Sequence, residues 1–283
     1  MIRIAIQSKG RLNEQSLELL KDAGVIVDSL KRQFLGRAEG FPLEVLYLRD
    51  DDIPEVVADG SADIGIVGLN EVAEKNADVE VIRQLGFGRC RLSLAVPKNA
   101  GYEGIQWFEG KHIATSYPNV LNAFLAKQGI SATVRTIMGS VEIAPAAGIA
   151  DGIFDIVSSG GTLISNGLVE VERVMESEAV LIAGRSLSDE KQALLRSLLF
   201  RIDAVSESRG KKYILMNIPT DKVDEAIRIL PAMRSPTVMP LAAKGWSSLH
   251  SVVKEKELWD KVERLKALGA EGILVLHLDK VIE

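Results

Sequence analysis

Residues 2–68 alternate short apolar runs with amphipathic stretches, and each run closes on a loop of small or polar residues. Ile2, Ile4 and Ile6 alternate with Arg3 and Ala5, a strand signal, and Ser8-Lys9-Gly10-Arg11 follows as a loop. Leu12, Leu17, Leu19 and Leu20 mark a helix to about Ala23, with Asn13 as its cap and Gly24 as its stop. Residues 43–49 (LEVLYLR) read as a second strand. After Asp50-Asp51-Asp52, Pro54 suits the first turn of a helix that ends at Gly60. Ile64–Val67 is then a buried strand with Gly68 at its C-terminal end. This β-α-β-α-β order predicts an α/β domain with a mostly parallel sheet.

The middle of the chain repeats the logic. Residues 91–97, 111–115, 132–138 and 153–157 read as strands, with a helix through Leu121, Phe124 and Leu125 and a short helix from Pro145. The segment Gly60–Gly68 and the segment Gly148–Ser158 share a helix-ending glycine, an Ala-Asp pair, an apolar strand and small residues after it. Read as a repeat, they give two similar lobes with a ligand cleft at the strands' C-terminal ends. Read singly, each Ala-Asp is ordinary turn chemistry.

Residues 188–202 form a helical pattern capped by Ser188, and the polar run 203–212 is the best domain boundary. Beyond it, strands at 213–218, 237–241, 246–253 and 272–278 interleave with helices at 221–230 and 255–268. That βαββαβ order is the ferredoxin-like arrangement, frequent in sensor modules. The expected division is residues 1–91 plus about 178–206 as lobe I, 92–177 as lobe II, and 207–283 as a C-terminal domain.

Composition bounds the function. The 283 residues suit about two domains of ~150 residues. Apolar residues at 47% and charged residues at 26% exclude wholesale disorder. The 34 Lys+Arg against 39 Asp+Glu give a net charge of -5, which argues against a nucleic-acid binder but leaves room for a local basic pocket. The lone Cys90 excludes an internal disulfide and suits the reducing cytosol. No run approaches ~20 apolar residues, so neither a membrane span nor a membrane partner is expected, and the location is read as cytoplasmic.

The strongest chemical signal is Asp155-Ile156-Val157-Ser158-Ser159-Gly160-Gly161-Thr162. Gly160 and Gly161 let backbone N–H groups converge on an anion, and Ser158, Ser159 and Thr162 add hydroxyl donors; the blander reading is a Gly-rich connector with no ligand. No Lys follows the glycines, so this is not a Walker A loop, and G-x-G-x-x-G is absent. Asp155 with Glu142 offers hard oxygens for sugar hydroxyls or Mg²⁺, the expected cofactor, whereas either acid alone reads as a solvated or capping group. Lys9 and Arg11 either clamp a polyphosphate or sit in a solvated loop. Cys90 lies between Arg89 and Arg91; a structural thiol is the better reading. The three histidines are scattered, which gives a His-based metal site no support.

Gly139-Ser140-Val141-Glu142-Ile143-Ala144-Pro145, with the run from Gly148 to Leu163, resembles the signature of the ATP phosphoribosyltransferases, the first enzymes of histidine biosynthesis. The likeness continues in Lys9-Gly10-Arg11-Leu12, Asp63–Gly68, Thr115-Ser116-Tyr117-Pro118, Ser235-Pro236-Thr237 and Gly269–Ile273. It implies the long form: a two-lobed, periplasmic-binding-protein-like catalytic region and an ACT-like regulatory domain. By resemblance, Asp155 through Thr162 bind phosphoribosyl pyrophosphate, Glu142 sits nearby, and Lys9 and Arg11 face the polyphosphates. ATP lies against Gly68, Leu69, Asn70 and the Arg89-Cys90-Arg91 region. Histidine, the feedback inhibitor, is held by Asn217, Ser235, Thr237 and Ala270, where the bland reading of 235–237 is a turn before a strand. Dimers and hexamers are the family's assemblies. Ser159 stands where threonine is expected, and Asn70 where some members carry aspartate. The rival readings are a non-catalytic two-lobed binding protein and an amino-acid-sensing regulator.

Overall fold

The computed structural model describes residues 1–27, 35–230 and 235–282. The chain divides into two compact units, Met1–Leu195 and Arg196–Glu283.

The N-terminal unit holds two sheets. In the first, β1 (Ile2–Gln7) leads through α1 (Arg11–Asp22) to β2 (Ile26–Val27), β3 (Leu35–Glu39) and β4 (Leu43–Leu48). Helix α2 (Ile53–Ala58), β5 (Ile64–Gly68), α3 (Leu69–Lys75) and β6 (Val79–Gln84) follow. The strand order is β2-β3-β4-β1-β5-β12-β6, where β12 is Ala179–Gly184. Strands β4, β1 and β5 are parallel, and β12 runs antiparallel between β5 and β6. Ala5, Val67 and Ile182 of this sheet pack against Ile53 and Val57 of α2.

The chain crosses to the second sheet between Gln84 and Cys90 and returns between Ser177 and Ala179. That sheet comprises β7 (Cys90–Pro97), β8 (His112–Thr115), β9 (Thr133–Thr136), β10 (Gly152–Val157) and β11 (Leu168–Ser177), in the order β11-β7-β10-β8-β9. Helix α4 (Pro118–Gln128) follows β8, and the single turn α5 (Gly161–Ser165) follows β10. Phe154, Phe108, Leu92, Ile113 and Leu121 fill one core of this sheet.

Two local expectations differ. Asn13 does not cap α1: its amide donates to the Gln7 carbonyl (2.6 Å), and Gly10 occupies the cap position without a side-chain bond. No helix starts at Pro145. A 3-10 turn spans Val141–Ile143, and single turns carry the chain on until Gly148, at a left-handed φ of 69°, ends them.

Helix α6 (Asp189–Ser208) starts with the Lys191 N–H donating to Ser188 Oγ (3.4 Å) and runs across the division between units. Its last turns belong to the C-terminal unit, since the Val281 N–H donates to the Ala204 carbonyl and Ser208 Oγ to that of Asp279. The unit adds β13 (Lys211–Pro219), α7 (Val223–Ile229), β14 (Thr237–Pro240), β15 (Trp246–Lys254), α8 (Leu258–Ala267) and β16 (Glu271–His277). The βαββαβ order of the sequence reading is present, with an antiparallel sheet β14-β15-β13-β16. Ile214, Met216, Ile218, Leu249 and Leu265 form its core.

Candidate active site

The C-terminal ends of β1, β5 and β10 meet one cavity of about 580 Å³ in the N-terminal unit. Arg11, Gly68, Asn70, Arg89, Cys90 and Ser158, six of the residues singled out by sequence, form part of its wall. Lys9, Leu69, Glu142, Asp155 and residues 159–162 lie outside that wall. Asp155 is nonetheless followed closely by two wall residues, Ile156 and Ser158.

Strand β10 sets the loop at Ser158–Thr162. Val157 stays buried while Ser158 and Ser159 are exposed. Gly160 takes a left-handed φ of 81°, which favours glycine, and turns the chain into α5. The Gly161 N–H donates weakly to Ser159 Oγ (3.4 Å), and Thr162 is exposed. Since α5 is a single turn, individual N–H and hydroxyl donors carry the anion-binding capacity, not a long helix dipole. The Arg91 guanidinium donates to the Ser158 carbonyl (3.0 Å) and pairs bidentately with Glu170. Arg91 therefore braces the loop from β7. That pairing holds the Glu170 carboxyl below its ordinary range.

Asp155 is half-buried, and its Oδ1 accepts from the Ile156 N–H (2.8 Å). Burial first, and then the Glu142 carboxylate, push its carboxyl up to about 6 against that hydrogen bond. The two acids are thus close enough to interact, as a site for sugar hydroxyls or a substrate-borne cation requires. Among the described residues no cluster of three or more His, Cys, Asp or Glu is placed to hold a metal by itself.

At the end of β5 the first N–H groups of α3 find partners across the crossover. The Leu69 N–H donates to the Glu178 carbonyl (3.0 Å) and the Asn70 N–H to Ser177 Oγ (3.0 Å). Ser177 Oγ donates back to Asn70 Oδ1 (2.8 Å). The side chain of Asn70 folds over Gly68, where an added Cβ would lie 2.3 Å from Asn70 Oδ1. Gly68→Ala is expected to expel Asn70 from Ser177 and weaken binding of the ligand that the cavity takes by about tenfold, the loss of roughly one good hydrogen bond. Unchanged steady-state kinetics would contradict that role for the glycine. Burial raises the Cys90 thiol, despite its arginine neighbours.

Sequence reasoning missed Glu71 as a site group. It is 6% exposed, lines the cavity, and has its carboxyl pushed up to about 7 by burial. A carboxylate three places after a strand-ending glycine was the available signal. Glu71 and Asp155 disfavour ionisation in the fold, so their contribution to stability is complete below the ordinary carboxylate range. It is lost as pH rises through about 6 to 7. Glu71→Gln removes one of these groups. Its melting temperature is expected to fall less than wild type between about pH 5 and about pH 8. Parallel pH curves would contradict the burial argument.

In the C-terminal unit, Asn217 sits at an irregularity where β13 pairs with β16 opposite Glu271. A Cβ on Gly272, at φ 58°, would approach Asn217 Nδ2 to 3.3 Å. Thr237 opens β14 opposite His250 of β15, and Ser248, two places along, lies opposite Asn217. Thr237 and Asn217 therefore share one sheet face. Ser235 is exposed, and Ala270 is buried immediately before β16.

A family model described as ATP phosphoribosyltransferase matches residues 49–204, and one described as HisG, C-terminal domain, matches residues 208–280. The ATP phosphoribosyltransferase of Phocaeicola vulgatus is 57% identical over 282 residues, covering 100% of both chains. That of Cytophaga hutchinsonii is 53% identical over 283 residues, 100% of this chain and 99% of its own. The chain belongs to the ATP phosphoribosyltransferase family. With both segments matched, it has the long form of that family, a transferase family of histidine biosynthesis. The ATP phosphoribosyl transferase (HisG:HisZ) complex from Thermotoga maritima aligns with a TM-score of 0.63 at 29% identity, over 71% of this chain and 96% of that one. The substrate-binding protein of an amino acid ABC transporter aligns with a TM-score of 0.50 at 12% identity, over 73% and 93%, a likeness of fold alone. The expected periplasmic-binding-protein-like α/β architecture with a separate C-terminal sheet domain is thereby borne out. Among the described residues, no helix is long and apolar enough to cross a membrane.

Proposed function

We propose that the chain transfers the phosphoribosyl group of phosphoribosyl pyrophosphate to N1 of ATP, releases pyrophosphate, and is inhibited by histidine. The convergence of three strand ends on one cavity, with the hydroxyl-glycine loop after β10 and Arg11 and Arg89 in the wall or rim, supports this reading above all. The lone pair of adenine N1 attacks C1 of the ribose. The C1–O bond to pyrophosphate breaks, and its electron pair leaves with pyrophosphate. Because N1 brings its own lone pair, no strong general base is needed. The protein's work is to align two substrates and stabilise the leaving anion.

In this reading Asp155 and Glu142 hold the ribose hydroxyls, while Ser158, Ser159, Gly160, Gly161 and Thr162 hold the 5-phosphate. Lys9 and Arg11, both exposed, draw in the polyphosphates. Gly68, Leu69, Asn70, Arg89 and Cys90 border the adenine end. Magnesium, when bound to the polyphosphates, supplies charge neutralisation, with Glu142 and Asp155 as the carboxylates that would hold or face it. The expected assemblies are dimers and hexamers, and the expected location is the cytoplasm. Mass spectrometry of the nucleotide pool after incubation with both substrates tests the transfer: an adduct of ATP plus the phosphoribosyl group supports it, and unchanged ATP overturns it.

The C-terminal unit would hold histidine through Asn217, Thr237, Ser235 and Ala270. Thr237→Trp is expected to raise the histidine concentration for half-inhibition by about tenfold or more while basal turnover stays within about twofold. Equal loss of turnover and inhibition would contradict the assignment.

A further inference from the structure

Helix α3 is tied to the second sheet by buried side chains on consecutive turns. Asn70 and Glu71 are 4% and 6% exposed, and Tyr117, which caps α4, is 7% exposed. Tyr117 Oη donates to Glu71 Oε1 (2.8 Å), and Asn70 Nδ2 donates to Glu71 Oε1 (2.9 Å) and Tyr117 Oη (3.2 Å). Ser177 Oγ fixes the amide by donating to Asn70 Oδ1. One turn later the Glu74 carboxylate accepts from the N–H groups of Asn119 and Val120, two otherwise orphaned donors at the start of α4. Glu74 alone would hold α3 and α4 together. The Asn70–Glu71–Tyr117 cluster adds something different, because Asn70 and Glu71 line the cavity.

We propose that Asn70 and Glu71 act as one amide–carboxylate pair, with Glu71 the positioning residue that fixes Asn70 and Tyr117 at the adenine end of the cleft. The proposal rests on reading that end as the nucleotide site. It also accounts for the amide at position 70. A carboxylate there would face Glu71 without the donating Nδ2, placing two acids in contact in a site that already crowds acids. Asp50 and Asp51 face Glu71 from the turn after β4, Glu74 from its own helix, Tyr117 from the start of α4 and Cys90 from β7. Burial and the three acids favour the protonated carboxyl, while the Tyr117 hydrogen bond favours the ionised one. The pair therefore titrates in the neutral range, and Tyr117 tunes where.

The test compares the full-length wild type with Asn70→Asp, Glu71→Gln, the double variant and Tyr117→Phe. Asn70→Asp is expected to raise KM for ATP by about tenfold at about pH 8, with KM for phosphoribosyl pyrophosphate little changed, and to do so less at about pH 6. Adding Glu71→Gln to Asn70→Asp returns a donor to the pair and should bring KM for ATP back to within about threefold of wild type. Glu71→Gln should erase a near-neutral ionisation from the pH profile of kcat/KM for ATP, and Tyr117→Phe should move it upward. Melting temperatures of all five proteins supply a readout independent of turnover. A double variant no better than the product of its parts, or pH profiles that do not move, overturns the proposal. Rescue visible in melting temperature with a wild type that never consumes ATP overturns the nucleotide reading, and the positioning role with it.

Discussion

Asp155→Asn is expected to lower kcat/KM for phosphoribosyl pyrophosphate by about 100-fold or more, with a melting temperature equal to or above that of wild type. The activity loss follows from position. Asp155 is the half-buried acid just before Ile156, at the head of the hydroxyl-glycine loop, with Glu142 close enough to raise it. An amide keeps the shape but removes the charge that two ribose hydroxyls would donate to. The stability expectation has the opposite sign for the same reason. Burial and Glu142 make the ionised carboxyl unfavourable at neutral pH, so its removal relieves the fold. Steady-state kinetics with thermal melting checks both halves. A variant that loses activity only because it melts would contradict the assignment.

One residue earlier the expectation inverts. Phe154→Ala is expected to cost about 3–5 kcal/mol of stability. In a unit of this size that is a fall of roughly 6–20 °C in melting temperature. Phe154 is fully buried and packs with Leu92, Leu94, Phe108, Ile113 and Tyr117 in the core of the second sheet. A cavity there leaves Asp155 and the loop chemically intact, so kcat at low temperature should stay within about threefold of wild type. A small stability loss would mean that the second sheet collapses around the missing ring. The two neighbours thus separate the strand's duties: Phe154 fills the core on its face of β10, and Asp155 near the C-terminal end leads into the loop.

The sequence legibly encodes what is local. The loop after β10, the glycine at the end of β5, the basic turn after β1 and the βαββαβ order of the C-terminal unit are written in contiguous residues, and they appear where they were expected. What escaped depends on distant pairing. Strand β12 (AVLIAG) inserts between β5 and β6, and β11, broken by charged residues, pairs with β7 through two register shifts. Neither carries a local mark of its partner. Glu71 escaped for the same reason. Its meaning lies in Tyr117 and Ser177, which only the crossover between sheets brings to α3. Arg91, which the resemblance sets in the region facing ATP, has its guanidinium bound to Glu170 and the Ser158 carbonyl, partners that its own segment does not reveal.

Pyrophosphate release from phosphoribosyl pyrophosphate, followed with and without ATP in the presence of Mg²⁺, tests the central claim most directly. Release is expected to require ATP, to drop in Asp155→Asn, and to fall when histidine is added. A folded wild-type protein that binds either substrate but releases no pyrophosphate in an ATP-dependent way would contradict it.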